Sequence, residues 1–520
     1  MQAESGVCEG ANATLEPSTG RRVLQSRRRP CSARLLRSGS NLERMSGFMT
    51  RNTPAMLRPV RSGGRVFLLL SSGLLLAIAA AIILAGCGGG SVLEVSLGKE
   101  GETVIGSPLP SNIQIPNLVG QSRYAYVITT APPLGIFRFD LEKQSPYPFM
   151  YLDLFGRTSG VPDELVIHDE DHGLFTTSGG FAGEGEGIHL FDPTPPSPDD
   201  FALDASVPVF PVTLDPPMPD SVGNLVSRLD PSYTSGVAVS NGKIYVCTSN
   251  FSSVGGNPVC PPGTVLIYQW DPSRDPPTVS RSDPPFIVTT SYNPTEVTAL
   301  GERTVLVTNS GVLAIREARA VPLTEASVDV IDTVLDCVVA TYPLGLAALS
   351  YKTIGITRDR KRALVGSVAF NSVFELDLTV LEEEPDACPD PVPRLDRAVL
   401  AGPSDPVRVG QPGLSGQETD DFVVQVAVSS DGTRAYASGY NSGTLSVLEL
   451  EQEDRKPSPK RPLLILPLTP PLDPGDPTQQ DVGPGPLAVR PGIPGTDFSG
   501  PDLFVLIGLP TGKMFSVQTY

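Results

Sequence analysis

Two histidines flank an acid-rich run in IHDEDHG, residues 167–173, and side chains of these types can hold a metal ion. Imidazole nitrogens and carboxylate oxygens are common ligands of zinc and of other divalent cations. His168 and His172 are therefore weak candidates as metal ligands. A polar hairpin turn is the favoured interpretation, because His189, the third histidine of the chain, falls on a later strand that starts at the opposite end of the sheet.

No sequence motif supplies a catalytic site. The chain contains no Gly-Lys-Ser phosphate loop and no G-x-S-x-G nucleophile turn. The acidic pair Asp420-Asp421 and the run of glutamates at 382–384 are typical of solvated loops. We therefore predict no catalytic residue, no metal and no bound cofactor. Calcium held by carboxylates is the alternative, and no motif supports it.

Four cysteines lie in the body of the chain, at Cys247, Cys260, Cys337 and Cys388. An even number in an exported protein favours disulfide bonds. We predict one bond between Cys247 and Cys260, across a long hairpin loop, and one between Cys337 and Cys388, from neighbouring repeats. A zinc site is disfavoured because the body has no CxxC spacing and few histidines.

An uncharged apolar run covers residues 66–86 and ends at a further cysteine, Cys87. Arg58, Arg61 and Arg65 precede the run, and its length alone would suffice to span a bilayer. The order branched apolar, small, small, cysteine at Leu84, Ala85, Gly86 and Cys87 resembles the lipobox of bacterial lipoproteins. In that family a lipid is attached to the cysteine sulfur, and a signal peptidase then cuts before the cysteine.

The lipobox resemblance implies a signal peptide at 66–86 and a lipidated Cys87, with residues 84–86 recognised by the peptidase. Several acyl chains, palmitate among them, would anchor the protein stably, and the glycines of 87–91 would form a tether. Gly88 mildly favours the outer membrane, so we expect a cell-envelope protein on its periplasmic side or at the cell surface. An ordinary signal anchor with a chance cysteine is the competing interpretation.

The basic head of the chain contrasts with its acidic body. Residues 1–86 carry a net charge of +8, and residues 87–520 carry −26. Because an acidic body repels phosphate, we expect no nucleic-acid partner. Residues 1–65 are longer than the basic region of a signal peptide. We interpret them as a disordered or misannotated N-terminal region, with Met45, Met49 and Met56 as alternative starts.

Short runs of β-branched and aromatic residues recur through the body, bounded by Gly, Asp, Asn and Pro. This pattern predicts an all-β chain. The clearest unit is 423–469, which reads as four antiparallel strands joined by tight turns. Counting weaker copies gives seven modules across 121–520, and a repeat architecture suits a body of this size.

These units resemble the YVTN-type repeat of lactonase-like seven-bladed β-propellers. The matching residues are 306–309 (LVTN), 330–332 (VID) and 430–432 (SDG), whereas 435–438 (AYAS) departs from the pattern. The resemblance implies a seven-bladed β-propeller of four-stranded antiparallel blades over 92–520. The last module ends at Tyr520 after three strands, so we predict that a segment of 92–117, most simply 92–98, closes the ring.

Taken together, these features favour a lipid-anchored binding or assembly module over an enzyme. The expected partners are the membrane, through the lipid, and an envelope protein or another ligand. A channel-site hydrolase of lactonase type is the alternative, and carboxylates that converge in the channel would support it. A dehydrogenase subunit is a third possibility that rests on fold analogy alone.

Overall fold

The structure is a computed structural model of the protein. The described residues are 102–104, 109–118, 122–143, 150–158, 160–179, 185, 187–195, 197, 200–254, 257–274, 276–316, 319–381, 385–410, 422–454, 456–469, 483–491, 503–507 and 513–517. Two short 3₁₀ turns, Thr379–Leu381 and Asp396–Ala398, accompany the strands in this part of the chain. The predicted all-β class is therefore confirmed.

The first three sheets are antiparallel and lie one after another along the chain. Sheet 1 contains β2 (Pro110–Gln114), β3 (Tyr124–Thr129), β4 (Gly135–Asp140) and β5 (Met150–Asp153). Sheet 2 contains β6 (Val161–Ile167), β7 (Gly173–Ser178), β8 (Gly187–Phe191) and β9 (Leu203–Pro208). Sheet 3 contains β12 (Thr234–Ser240), β13 (Lys243–Thr248), β16 (Pro262–Asp271) and β17 (Thr278–Tyr292).

The remaining sheets continue the series. Sheet 4 contains β18 (Pro294–Ala299), β19 (Thr304–Asn309), β22 (Ala326–Asp332) and β23 (Cys337–Gly345). Sheet 5 contains β24 (Leu349–Ile356), β25 (Arg362–Ser367), β26 (Ser372–Asp377), β27 (Val399–Ala401) and β28 (Val407–Arg408). Sheet 6 contains β29 (Val423–Val428), β30 (Arg434–Gly439), β31 (Thr444–Glu449) and β32 (Leu464–Pro467). Sheet 7 contains β33 (Pro484–Val489), β34 (Leu503–Ile507), β35 (Lys513–Val517) and β1 (Glu102–Val104).

In the described part of the chain, three additional hairpins lie outside these sheets. They are β10 (Val212–Pro219) with β11 (Leu225–Leu229), β14 (Ser252–Val254) with β15 (Asn257–Val259), and β20 (Leu313–Arg316) with β21 (Arg319–Pro322). The first hairpin packs Phe210, Val212 and Leu229 against the core of sheets 2 and 3. The hairpins therefore extend the connections of sheets 2, 3 and 4 without entering a blade.

The sheets are the blades of a β-propeller, because their first strands form a closed ring. Each inner strand, β2, β6, β12, β18, β24, β29 and β33, contacts the next, and β33 contacts β2. Neighbouring sheets cover both faces of the middle strands, so these strands read as unbroken apolar runs. All six residues of β3 are buried, for example. Apolar side chains of adjacent sheets, such as Tyr342 and Phe374, share one core cluster.

Hydroxyl groups join neighbouring sheets near the channel. In each case a serine or threonine donates to a backbone carbonyl at the start of the next inner strand. The pairs are Ser111 to Asp163 (3.0 Å), Thr176 to Ser235 (2.8 Å), Ser249 to Pro294 (3.0 Å), Ser310 to Leu349 (2.8 Å) and Ser350 to Val423. A buried carbonyl without a donor would cost stability, so these bonds fix the spacing of the blades.

The prediction of seven uniform four-stranded blades is wrong. Within the described residues six sheets have four strands each, and sheet 5 has five. The reason is the long connection after β26, which supplies two short strands, β27 and β28, that both pair with β26. In sheet 7 the outer strand comes from the N-terminal side, since β1 pairs antiparallel with β35. The segment 92–98 predicted for this place lies outside the described residues.

The connection after β26 also covers the outer edge of sheet 4. Arg394 forms a parallel bridge with Thr341 of β23. The Thr341 amide donates to the Pro393 carbonyl at 2.9 Å, and the Leu395 amide donates to the Thr341 carbonyl at 2.8 Å. A disulfide bond between Cys337 and Cys388 attaches the connection to β23. This bond confirms the predicted Cys337–Cys388 pair, and the covered edge is no longer available for pairing with another chain.

Candidate functional site

Every inner strand of the ring carries a register shift close to its start. The shifts fall between residues 110 and 112, 162 and 165, 234 and 237, 294 and 296, 349 and 354, 423 and 426, and 484 and 487. A bulge leaves a residue without a ladder partner and turns its side chain in a new direction. Seven such bulges at one level bring side chains of different blades together in the central channel.

Five polar residues at these bulges form what we call the channel cluster: Asn112, Asp163, Glu164, Glu296 and Lys352. They come from the inner strands of sheets 1, 2, 4 and 5. Each is at most 8% exposed. The Lys352 ammonium lies 3.1 Å from Asp163 Oδ1 and 2.8 Å from Glu164 Oε2, and it donates to the Asp163 carbonyl at 2.7 Å. Sheets 2 and 5 are therefore joined directly through the channel.

The channel cluster holds more acceptor oxygens than donors. Asn112 Nδ2 donates to Glu164 Oε1, and Thr298 Oγ1 donates to Glu296 Oε1 at 3.2 Å. Among the described residues, three buried oxygens of the cluster have no hydrogen-bond partner: Asn112 Oδ1, Asp163 Oδ2 and Glu296 Oε2. Buried oxygens of this kind are costly unless a donor or a proton reaches them.

Burial and mutual repulsion set the protonation of the channel cluster. Burial raises the pKa of Glu164, although Lys352 opposes the shift. Burial raises the pKa of Glu296 further, and the charge of Glu164 adds to this effect. Burial alone would lower the pKa of Lys352, but Asp163 and Glu164 outweigh it and raise that pKa. Lys352 is thus a fixed cation, whereas Glu296 is inclined to hold a proton.

A close backbone approach encloses Glu296. A Cβ atom on Gly236 of β12 would lie 2.4 Å from the Val297 nitrogen and 2.6 Å from the Glu296 Cα atom. Such distances are not tolerated, so a glycine at this position permits the contact between β12 and β18. The two inner strands therefore pack closely beside Glu296, which is buried.

The histidine-rich run is a turn, as favoured from the sequence. It connects β6 to β7, and the His168 amide donates to the His172 carbonyl at 2.9 Å. His172 Nδ1 lies 2.7 Å from Asp169 Oδ1, and both imidazoles contact the edge or face of Trp270. Among the described residues, no three His, Cys, Asp or Glu side chains are grouped so that they could hold a metal ion.

The third histidine, His189, is buried within sheet 2. His189 Nδ1 lies 2.7 Å from Ser206 Oγ, and its Nε2 lies 3.0 Å from Thr177 Oγ1. Its ring stacks on Phe175, and burial lowers the pKa of His189 to about 4. A neutral imidazole that bridges two hydroxyls supports packing within the sheet, and it does not join His168 and His172.

The predicted disulfide between Cys247 and Cys260 is wrong, since both thiols are free and buried. Cys247 points into the core between sheets 3 and 4, where its sulfur lies 3.2 Å from Ser235 Oγ. The Cys260 carbonyl instead accepts from the Ser221 amide at the tip of the β10–β11 hairpin, and the Cys260 amide donates to Ser221 Oγ. The two side chains serve different contacts although they bracket one loop. Burial raises the pKa of Cys260 to about 12 and that of Cys247 further, so both are unreactive.

A shallow pocket of about 260 Å³ lies at the rim between sheets 5 and 6. The turns around Asp359 and Asp431 line it, together with Asp454 and Arg358. Burial would raise the pKa of Asp431, but hydrogen bonds from Ser429 and Thr433 outweigh it and lower that pKa. Internal turn contacts therefore use the Asp431 carboxylate, whereas the channel cluster brings buried charges of several sheets together.

Sequence reasoning missed the channel cluster, although the inner strands carry a signal for it. Each of β6, β18 and β24 places one or two charged residues inside an otherwise uncharged strand: VPDELVI, PTEVTA and LSYKTIGI. A charge in a strand that is buried on both faces needs a partner. The sequence shows that such partners are needed, but it does not show that strands 188 residues apart provide them.

The lipobox residues Leu84, Ala85, Gly86 and Cys87, the apolar run 66–86 and the tether lie outside the described residues. The helices of the described part include none that is long and apolar enough to cross a membrane. The signal peptide and the lipid anchor therefore stay predictions.

Comparisons with known proteins give only distant structural likenesses. No family model and no curated protein matches the chain. The chain is similar in structure to hydrazine synthase from Kuenenia stuttgartiensis, with 12% identity, 82% of this chain and 99% of that one covered, and a TM-score of 0.49. The β-propeller domain of Cps50 (Swd1) from Myceliophteria thermophila covers 80% of this chain and 99% of its own at 11% identity, with a TM-score of 0.45. Because likenesses this distant carry no functional argument, the YVTN and lactonase resemblance stays a prediction.

Proposed function

We propose that this protein is a lipid-anchored β-propeller of the cell envelope that acts as a binding or assembly module. The observation that carries the proposal is the ion-paired Lys352 in the central channel. Lys352 joins sheets 2 and 5 across the channel, where an enzyme with a channel site would need space for its substrate. We therefore expect ligands to bind at the rims and the outer connections of the ring, which form a surface suited to protein partners.

Two further features support export to the envelope. The Cys337–Cys388 disulfide belongs to the chemistry of oxidising compartments. The basic head, the apolar run and Cys87 follow one another in the order of a lipoprotein leader. The membrane is thus the first proposed partner, through palmitate or a related acyl chain, and an envelope protein is the second.

The test is incorporation of radiolabelled palmitate in a bacterial host, with Cys87→Ala beside the wild type. We expect label in the wild type, none in Cys87→Ala, and a mature N-terminus at residue 87 by mass spectrometry. Cys31→Ala is the matched control and should keep the label, since it changes a cysteine outside the lipobox. A labelled Cys87→Ala variant, or a mature chain that retains 66–86, would refute the anchor.

A channel-site hydrolase of lactonase type is the second candidate, because three carboxyl groups do converge in the channel. Asp163, Glu164 and Glu296 could serve as acids or bases if a substrate reached them. Lactone hydrolysis by the purified protein, lost in Glu164→Gln, would favour this candidate. Lack of turnover over a panel of lactones would leave the binding module as the better account.

A further inference from the structure

The channel cluster has an excess of negative groups. Asp163, Glu164 and Glu296 supply three carboxyl groups, and Lys352 is the one cation that the described residues place among them. With all four groups ionised, the buried cluster would carry a charge of −2. A buried ion pair repays its desolvation only when its charges balance and its lone pairs are satisfied. The closed arrangement therefore requires protons.

Glu296 is the place where a proton relieves the imbalance best. Lys352 contacts Asp163 and Glu164 directly, and Asn112 also donates to Glu164. In the described part of the chain, the Glu296 side chain receives one hydrogen bond, from Thr298, and its Oε2 has no partner. Protonation would remove one charge and turn this bare oxygen into a hydroxyl group.

The charged groups that face Glu296 together disfavour its ionised form. Asp163 and Glu164 on β6 repel its negative form, and Lys352 on β24 attracts it. Cys247 on β13 also senses its charge, but this buried thiol stays neutral. Two anions oppose one cation that is already paired with both of them, so the ionised form of Glu296 is disfavoured.

We propose that the channel cluster is a proton-dependent lock, in which Glu296 holds a proton while the ring is closed and the ring loosens at this level when that proton leaves. The elements that would separate are β6, β18 and β24, the inner strands of sheets 2, 4 and 5. Repulsion between Glu296 and the β6 carboxylates acts across the channel, where no backbone ladder opposes it.

The pH dependence has a definite sign. A carboxyl group whose pKa is higher in the folded protein than in the unfolded chain stabilises the fold fully below its unfolded pKa. That contribution is lost as pH rises through the folded pKa. Because the pKa of Glu296 is raised in the folded protein, thermal stability should fall as pH rises above the ordinary range of glutamate.

The test compares the pH profile of the melting temperature in the wild type, Glu296→Gln and Glu302→Gln. Glutamine is a permanent mimic of the protonated acid. We expect the wild type to lose several degrees between pH 5.5 and pH 8.5, Glu296→Gln to lose much less, and Glu296→Gln to melt above the wild type at pH 8.5. Glu302, an exposed glutamate in the turn after β18, is the matched control and should follow the wild type. Parallel profiles for all three proteins would overturn the proposal.

Hydrogen exchange of the wild type gives a second readout if Glu296→Gln does not fold. Exchange rates, corrected for the intrinsic effect of pH, should rise between pH 5.5 and pH 8.5 in peptides that contain β6, β18 and β24. Peptides from the outer strands β9 and β23 should change little. Uniform exchange changes across all blades would refute a lock at the channel level.

Discussion

Two buried ion pairs of this propeller differ in how completely their charges are balanced. One is the channel cluster. The other, here called the rim clamp, pairs Arg362 of β25 with Glu375 of β26 and receives the loop around Ser458. The Arg362 and Glu375 side chains are 7% and 0% exposed, so both sites lie away from water.

The rim clamp satisfies its buried carboxylate. Arg362 and the Ser458 hydroxyl donate to Glu375 Oε1, and the Ser458 amide donates to Oε2 at 2.9 Å. The guanidinium also donates to the carbonyls of Glu453 and Lys456. One cation faces one anion, and neither Glu375 oxygen lacks a donor, which is the condition under which a buried pair holds structure.

The channel cluster meets neither condition. Within the described residues, one ammonium accompanies its three carboxyl groups, and three of its oxygens lack a donor. The comparison teaches that burial alone does not make an ion pair structural. The balanced site should behave as a fixed brace between the blade and its loop, whereas the unbalanced site should respond to protons.

Breaking the rim clamp should have the largest effect. In Arg362→Met the Glu375 carboxylate stays buried without its cation, so we expect a loss of about 3–5 kcal/mol in the free energy of unfolding. Urea unfolding at neutral pH measures the change. Arg358→Met, at an exposed arginine four residues earlier, should cost no more than about 0.5 kcal/mol. Equal losses in the two variants would show that the clamp contributes nothing beyond its side-chain packing.

Removing the channel cation should cost less and should depend more steeply on pH. In Lys352→Met we expect a loss of about 2–4 kcal/mol at pH 7.5, because the remaining carboxylates are uncompensated. The loss should shrink toward pH 5.5, where the carboxyl groups can take up protons. Three carboxyl groups surround Lys352 and only one faces Arg362, so the loss in Lys352→Met should depend more steeply on pH than the loss in Arg362→Met. A pH-independent loss would place the channel cluster in the same class as the rim clamp.

Much of the fold follows from local patterns, and the places where prediction failed are non-local. Short apolar runs punctuated by turns give the strands, and the Ser-Asp-Gly turn at 429–433 falls between β29 and β30 as expected. The fifth strand of sheet 5 could not be foreseen, because β28 has only two residues and pairs with β26 from across a long connection.

The site was harder to predict than the fold. His168 and His172 were candidate metal ligands because they lie close together in the sequence, but they belong to a turn. The Cys247–Cys260 pair failed for a related reason, since closeness along the chain does not fix the direction in which two thiols point. Lys352 and Glu164 meet because a ring brings blades 2 and 5 face to face, and no sequence spacing reports that contact.

The smallest expected effect comes from a substitution that replaces only one amide nitrogen with an oxygen, which makes the comparison sharp. Asn112→Asp adds a fourth carboxyl group to the channel cluster at nearly constant shape. At pH 5.5 the new acid can hold a proton and donate it to Glu164 Oε1, as the amide does, so stability should change by less than about 0.5 kcal/mol. At pH 8.5 four carboxyl groups compete for few protons. We then expect the free energy of unfolding to fall by about 1–2 kcal/mol, because of repulsion and the missing hydrogen bond.

The matched control for this change is Asn224→Asp on the β10–β11 hairpin. Asn224 also donates from Nδ2 to a carboxylate, Asp220 Oδ2, at 3.0 Å, but the asparagine is exposed. The new carboxylate is itself exposed to water and is ionised at both pH values, so any loss of stability should be nearly the same at pH 5.5 and pH 8.5. Urea unfolding of both variants at the two pH values makes the measurement. A pH-dependent loss in Asn112→Asp alone ties the effect to the closed channel. The same small change in both would mean that water already reaches the channel cluster, and the protons that we assign to it would then be unnecessary.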